Sequence, residues 1–330
     1  MLRALVTLCL CVPLSFAADG QRDAQVQLPG HLSETEVEAQ KAVREVRIEL
    51  ETIRRLSPEE RFEKAARMER TLERLVRDVA GTRLASTALY WLAEWRFIYG
   101  DIDSVGGLLD QLESAPGHGY KGPARILRVR LFLRQGQTQR ARSHVEQIMV
   151  KAPEFAPMLE LVAFHERAGE PAPKVEGRNL NGTVVEPLTE RREPFLIVCF
   201  ANLGDPMQRF FVERIFTELE REEYQDRIRP IIVSFDGDPL GALTEMRQLT
   251  EREDIDLMWA NPNPGGDGER WEAEWQLPQR PVTVLLGPDR SMIAVDPTVE
   301  RLRPLVGLEP DDDPRTRSST RRRFGVGGRR

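Results

Sequence analysis

Hydrophobic positions change their spacing once, decisively, along this chain. From 33 to 168 they recur at helical intervals; after Gly169 they gather into short continuous runs separated by amphipathic stretches. Ser33-Glu34-Thr35-Glu36 and Ser57-Pro58-Glu59-Glu60 both fit the capping box, the second with Pro at the first helical position. Behind the first box Val37, Val43, Val46, Ile48, Leu50 and Ile53 make a loose apolar stripe, and behind the second Phe62, Ala65, Ala66, Met68, Leu72, Leu75 and Val79 make a clearer one. Gly81 ends that helix. Leu84–Ile98 predicts another, rich in aromatics; Trp91 and Trp95, at i and i+4, are assigned to the core rather than to a ligand.

A weak repeat follows. Gly100-Asp101 and Gly136-Gln137 each close an apolar helix and precede an amphipathic one, 36 residues apart, and Gly169 comes 33 residues after the second. Each glycine is expected to supply a positive-φ turn between antiparallel helices. Ala141 is small enough for a close helix crossing, and Pro153 stops the second helix. The segment 33–168 resembles a tetratricopeptide-like array, whose period is about 34 residues. An irregular helical bundle is the other arrangement this pattern allows.

Beyond Gly169 the pattern is βα alternation. Asn181-Gly182 is a hairpin signal between short strands. Phe195–Ala201 and Ile228–Phe235 are continuous apolar runs, as buried parallel strands should be. Helices are expected over Pro206–Tyr224, Leu240–Arg252 and Glu269–Gln276, with a Pro/Gly/Asn loop at Asn261–Gly268. Val282–Leu286 and Met292–Val295 flank Gly287-Pro288-Asp289-Arg290 and predict an antiparallel hairpin, and a last helix covers Thr298–Val306.

This order, with Pro281 immediately before a strand, resembles the thioredoxin-like superfamily, in its TlpA-like and redoxin (AhpC/TSA-type) branch, over 169–308. The resemblance implies an α/β thioredoxin-like domain behind an all-α helical-repeat domain. Where the family continues its first central strand with Trp-Ala-x-Trp-Cys-x-x-Cys, this chain reads Phe200-Ala201-Asn202-Leu203-Gly204-Asp205-Pro206-Met207. Ala201 is retained, but Gly204 and Met207 replace both cysteines. Arg280-Pro281 matches the family's cis-Pro segment, so that peptide bond is expected to be cis. By the same resemblance Asn202, Leu203, Gly204, Asp205, Arg280 and Pro281 line a remnant groove that holds extended peptide.

Dithiol chemistry needs a thiolate attacker and a resolving thiol. Gly204 has no side chain and a Met207 thioether forms no thiolate, so no catalytic pair is expected here. Asp205 and Pro206 make good helix punctuation; capping is the structural role for Asp205, and a polar contact to a ligand the functional one. Cys199, inside an apolar strand, is the remaining candidate nucleophile. Burial would make it an inert core residue, and a monothiol oxidoreductase or peroxidase is the rival reading. Asp236-Gly237-Asp238 offers two carboxylates, short of the oxygens a calcium ion takes, so no metal site is expected. His31, His118, His144 and His165 show no ligand spacing, and no cofactor motif is present.

Composition narrows the function further. The 330 residues are 40% hydrophobic and 30% charged with a formal charge of −6, which supports folded cores and gives no basic footprint for nucleic acid. Residues 1–17 combine Arg3, an apolar run to Phe16 and small residues at Ser15 and Ala17, the pattern of a secretory signal peptide; a buried first helix is the alternative. If it is removed, Cys9 and Cys11 leave with it and Cys199 is the single thiol, incapable of an internal disulfide. No run is long enough to be a membrane span. Residues 18–32 read as a flexible lead-in. Residues 309–330, with seven arginines after Asp311-Asp312-Asp313, read as a disordered tail that either meets an anionic surface or folds back on the acidic body. Together these features predict an exported protein, periplasmic or extracellular, that binds an envelope protein or peptide through a degenerate thioredoxin-like site.

Overall fold

The computed structural model describes residues 34–309 except 55–57, 117–118, 179–183, 186–193, 239, 242–243, 245–254, 264–265 and 279. The leader, the lead-in, the tail, the Asn181-Gly182 turn and most of the helix expected over Leu240–Arg252 lie outside the described residues. The described chain forms two compact units that divide between Leu131 and Phe132.

The first unit is all-helical: α1 Glu34–Arg54, α2 Pro58–Asp78, α3 Ala85–Tyr99, α4 Val105–Ser114 and most of α5 Lys121–Arg134. Successive helices α1 to α4 pack each on the next. Of the stripes named above, Val46, Leu50, Ile53, Met68, Leu72, Leu75 and Val79 are buried, whereas Val37, Ile48 and Ala66 are exposed and lie off the interface. Trp91 and Trp95 are core residues, and the Trp95 indole N–H donates to the Ala65 carbonyl at 3.2 Å. Arg96 ties α3 to α2 through Glu69 at 3.0 Å and Glu73 at 2.5 Å. Gly81, Gly136 and Gly169 have φ of +80°, +71° and +97°, as turns that favour glycine require. Gly100 does not: its φ is −124°, and Asp101 turns the chain instead by accepting the Asp103 N–H at 3.0 Å.

The second unit opens with the end of α5, then α6 Thr138–Met149 and α7 Met158–Glu166, which pack on each other with Ala141 fully buried. These two helices therefore share a compact unit with the sheet that follows, although the sequence pattern changes only at Gly169. A two-stranded antiparallel pair, β1 Gly177–Arg178 and β2 Val184–Val185, precedes the main sheet. That sheet comprises β3 Phe195–Ala201, β4 Ile228–Ser234, β5 Asp256–Trp259, β6 Val282–Leu286 and β7 Met292–Val295 in the order β5-β4-β3-β6-β7. β3, β4 and β5 are parallel, whereas β6 and β7 run against them as the expected hairpin.

Alternation along β3 sends its residues to two cores. Val198 and Phe200 face α10, Asp267–Trp275, whose Trp271 and Trp275 are buried with them. Cys199 and Ala201 face α8, Pro206–Leu219, through Val212 and Phe216. Ile197 packs with Leu219, Tyr224 and Leu302, the last from α11, Val299–Leu305. A single expected helix over Pro206–Tyr224 is instead α8 and a separate turn of helix, α9 Glu222–Gln225. The chain needs that break to bring Ile228 into register beside Phe195. β5 has no counterpart in the sequence reading: unlike β7, which a turn at Gly287-Pro288-Asp289-Arg290 joins to β6, it has no turn signal tying it to a partner strand next in sequence.

Mixed strand order, the β3-α8-β4 crossover, the terminal hairpin and the closing helix are the architecture of a thioredoxin-like domain. The class rests on this topology.

Candidate functional site

The register fixes where the expected site residues meet. β3 ends at Ala201 and runs antiparallel to β6, with Phe200 opposite Val282. The Asn202–Asp205 loop leaving β3 and the Arg280-Pro281 segment entering β6 therefore lie side by side at one end of the sheet. The Arg280-Pro281 peptide bond is cis, as expected.

Asp205 caps α8. Its Oδ1 accepts the Gln208 N–H at 3.4 Å, and its Oδ2 accepts from the Gln208 side-chain amide at 3.2 Å. Gln208 in turn accepts the Asn202 N–H at 2.9 Å, so loop and helix clamp one another. Gly204 is exposed, and Asn202, Asp205, Arg280 and Pro281 are half-buried. Met207 belongs to the first turn of α8.

Leu203 departs from the expectation. It is fully buried among Cys199, Ala201, Val212 and Phe216, so it anchors the loop in the core and presents no surface to a ligand. Its apolar side chain gains more from that pocket than from water. Arg280 is likewise engaged, with its Nη1 2.5 Å from Glu272 Oε1 and its guanidinium 4.2 Å above the Phe235 ring. It forms a fixed, charged wall.

Asp236 is the residue that sequence reasoning weighed only as a metal ligand. It is 6% exposed and accepts the backbone N–H groups of Leu203 and Gly204, both at 2.8 Å, and the Ser234 hydroxyl at 2.6 Å. One carboxylate thus holds the loop at Leu203 and Gly204. A Cβ built on Gly204 would lie 3.0 Å from Asp236 Oδ1, so the loop backbone sits closer to the carboxylate than most side chains permit. The clue in the sequence was an acidic residue directly after an apolar strand, but nothing local tells which loop it reaches. Among the described residues no group of His, Cys, Asp or Glu is arranged to hold a metal ion.

Cys199 is 1% exposed. Burial pushes its thiol up to about 12, with Asp296 adding to the rise and the Thr283 hydroxyl 3.5 Å from Sγ opposing it. It packs in the α8 core with Leu203, Val212 and Phe216. The described site therefore holds helix punctuation, a buried carboxylate clamp and a sealed thiol.

No family model matches the chain, and no curated protein matches it. Among solved structures, the chain is similar to a thiol-disulfide oxidoreductase from Bacteroides fragilis, at 21% identity over 40% of this chain and 94% of that one, with a TM-score of 0.32. The thioredoxin domain of a thiol-disulfide oxidoreductase from Bacteroides vulgatus matches at 15% identity, 39% and 87% coverage and a TM-score of 0.32. A thioredoxin-like protein from Bacteroides caccae matches at 11% identity, covering 84% of this chain and 87% of its own, again with a TM-score of 0.32.

Proposed function

We propose that this chain is an exported binding protein in which a thioredoxin-like domain has lost dithiol chemistry and kept a peptide-holding face. The observation that carries this reading is the loop at the head of α8: Gly204 is open to solvent without a side chain, while Cys199 is sealed beneath it. An extended segment would run along Asn202, Gly204 and Asp205 and against Arg280 and Pro281, using main-chain hydrogen bonds at the free end of the sheet. The partner is an envelope protein or peptide, and the preceding helices, read as a tetratricopeptide-like array, offer a second surface. Export rests on the leader at 1–17, and the periplasmic or extracellular destination follows from it. No helix among the described residues is long and apolar enough to cross a membrane.

The test is selection of peptides from a displayed library on the purified chain, followed by amide-shift mapping. Shifts centred on Asn202 and Gly204, weakened by Gly204→Trp, support the reading. Shifts confined to the helical unit would move the binding function there. Insulin-disulfide reduction or peroxide turnover that Cys199→Ser abolishes would replace binding by the monothiol alternative.

A further inference from the structure

Away from the loop at the head of α8, the second unit contains a cleft of about 680 Å³ where α6 and α7 meet β7 and α11. That volume suits a small molecule. Its apolar floor is Leu133, Ile293 and Val295, and its polar walls carry Arg301, His165 and the Arg142–Glu166 pair. We propose that this cleft binds a small oxyanion-bearing molecule, with Arg301 and the first turn of α6 holding the carboxylate or phosphate head.

Three observations converge on that chemistry. Arg301 is half-buried, with one arm donating to the Arg134 carbonyl at 2.7 Å, and it has no ion pair among the described residues. Its guanidinium lies against the Gly136 backbone, where a Cβ would stand 2.8 Å from Cζ. Gly136 therefore admits the group and fixes its direction. By contrast, Arg142 is already satisfied by Glu166 in a two-armed pair, so the unneutralised charge in the cleft is that of Arg301.

His165 supplies the second observation. It is 5% exposed, lines the cleft and makes no hydrogen bond among the described residues; its nearest carboxylate oxygen is that of Asp296 at 3.8 Å. Burial, with the charges of Arg134 and Arg301, pushes its pKa down to about 3, so it faces the cleft as a neutral imidazole in a positive field. The third is α6 itself, which begins on the cleft wall at Thr138 and Gln139. Its N-cap Gln137 contributes no side-chain cap, so first-turn N–H groups point their partial positive charge outward with no intrahelical acceptor. A guanidinium without a counter-ion, an unbonded buried imidazole and an uncapped helix start make a place for negative oxygen.

The experiment is calorimetric titration of the full chain at pH 7 with succinate and, separately, with inorganic phosphate, using chloride as the control. One saturable site for at least one of the two is expected, and which of them binds distinguishes carboxylate from phosphate. Arg301→Gln should weaken binding by about 10- to 100-fold, the range of a lost charge-assisted hydrogen bond. Gln139→Glu places a carboxylate on an exposed first-turn position, where it favours the helix, and should also weaken the anion while leaving the unfolding midpoint undiminished. Absence of saturable binding for both anions, or wild-type affinity in a folded Gln139→Glu and a folded Arg301→Gln chain, overturns the assignment.

Discussion

Asp236→Asn isolates the clamp on the α8 loop. In the native chain one carboxylate accepts from the Leu203 and Gly204 amides and the Ser234 hydroxyl, all within 2.8 Å. Asparagine keeps a single acceptor oxygen and turns an NH₂ toward a donor, so at least one N–H is left facing another N–H. The buried Leu203 N–H and Ser234 hydroxyl both donate to Oδ2, so the asparagine oxygen takes that position and its NH₂ faces the exposed Gly204 N–H, which has to turn to water. Losing the charged acceptor and setting donor against donor costs about 1–3 kcal/mol. That is a large share of the 5–15 kcal/mol by which typical domains are stable. Urea unfolding followed by fluorescence measures the loss, and hydrogen exchange at Leu203 and Gly204 reports whether the loop has come free. Asp238→Asn is the control: Asp238 is exposed, accepts the Leu240 N–H at 3.0 Å as its one hydrogen bond among the described residues, and should cost under about 1 kcal/mol. Asp236→Asn with native stability and an equally protected Gly204 amide would refute the clamp.

Three further outcomes follow from the same structure. Burial pushes the Glu218 carboxyl from its ordinary 4.5 up to about 7 despite Arg221 at 3.0 Å, so the folded chain keeps a proton there that the unfolded chain loses from pH 4.5 upward. Stability should therefore fall as pH rises through that window, and Glu218→Gln should remove the fall, gaining up to about 3 kcal/mol at pH 8 and nothing at pH 4; superimposable pH profiles would count against it. Cys199, with its thiol pushed from 9.0 up to about 12, should react with iodoacetamide at pH 8 about a thousandfold slower in the native chain than in urea, and equal rates would disprove its sealing. Gly81, at φ +80° with open space where a Cβ would stand, should lose about 1–2 kcal/mol as Ala through backbone conformation alone, checked by thermal unfolding.

The site was partly legible. Asp205 and Pro206 read as helix punctuation because capping is local chemistry, confined to four successive residues, and the structure bears out the cap. The sealed state of Cys199 was legible for a similar reason, since a thiol within Phe195–Ala201 has apolar neighbours on both sides. Leu203 was misplaced because a loop residue next to a glycine gives no local sign of which way its side chain turns. The role of Asp236 was invisible because its partners lie 32 and 33 residues earlier, and only the parallel pairing of β3 with β4 brings the two strand ends together.

What the sequence by itself determined is the type and bounds of most elements. Phe195–Ala201, Val282–Leu286 and Met292–Val295 are strands where the apolar runs placed them, and helices begin at Glu34 and Pro58, where the sequence expected them, while the cap residues Ser33 and Ser57 lie outside the described residues. It also determined that no thiol stands at 204 or 207, a fact of composition that no fold can alter. Tertiary structure alone decided the rest: the break between α8 and α9, the edge strand Asp256–Trp259, the inward turn of Leu203, the carboxylate under the loop, and the cleft that sets Arg301 beside Gly136. The physical reason is range. Periodicity, capping and turn chemistry act between residues a few positions apart, where the sequence is itself the contact map. Register, burial and unneutralised charge depend on groups up to 167 positions apart, as Arg301 and Arg134 are, and those distances exist only once the chain has packed.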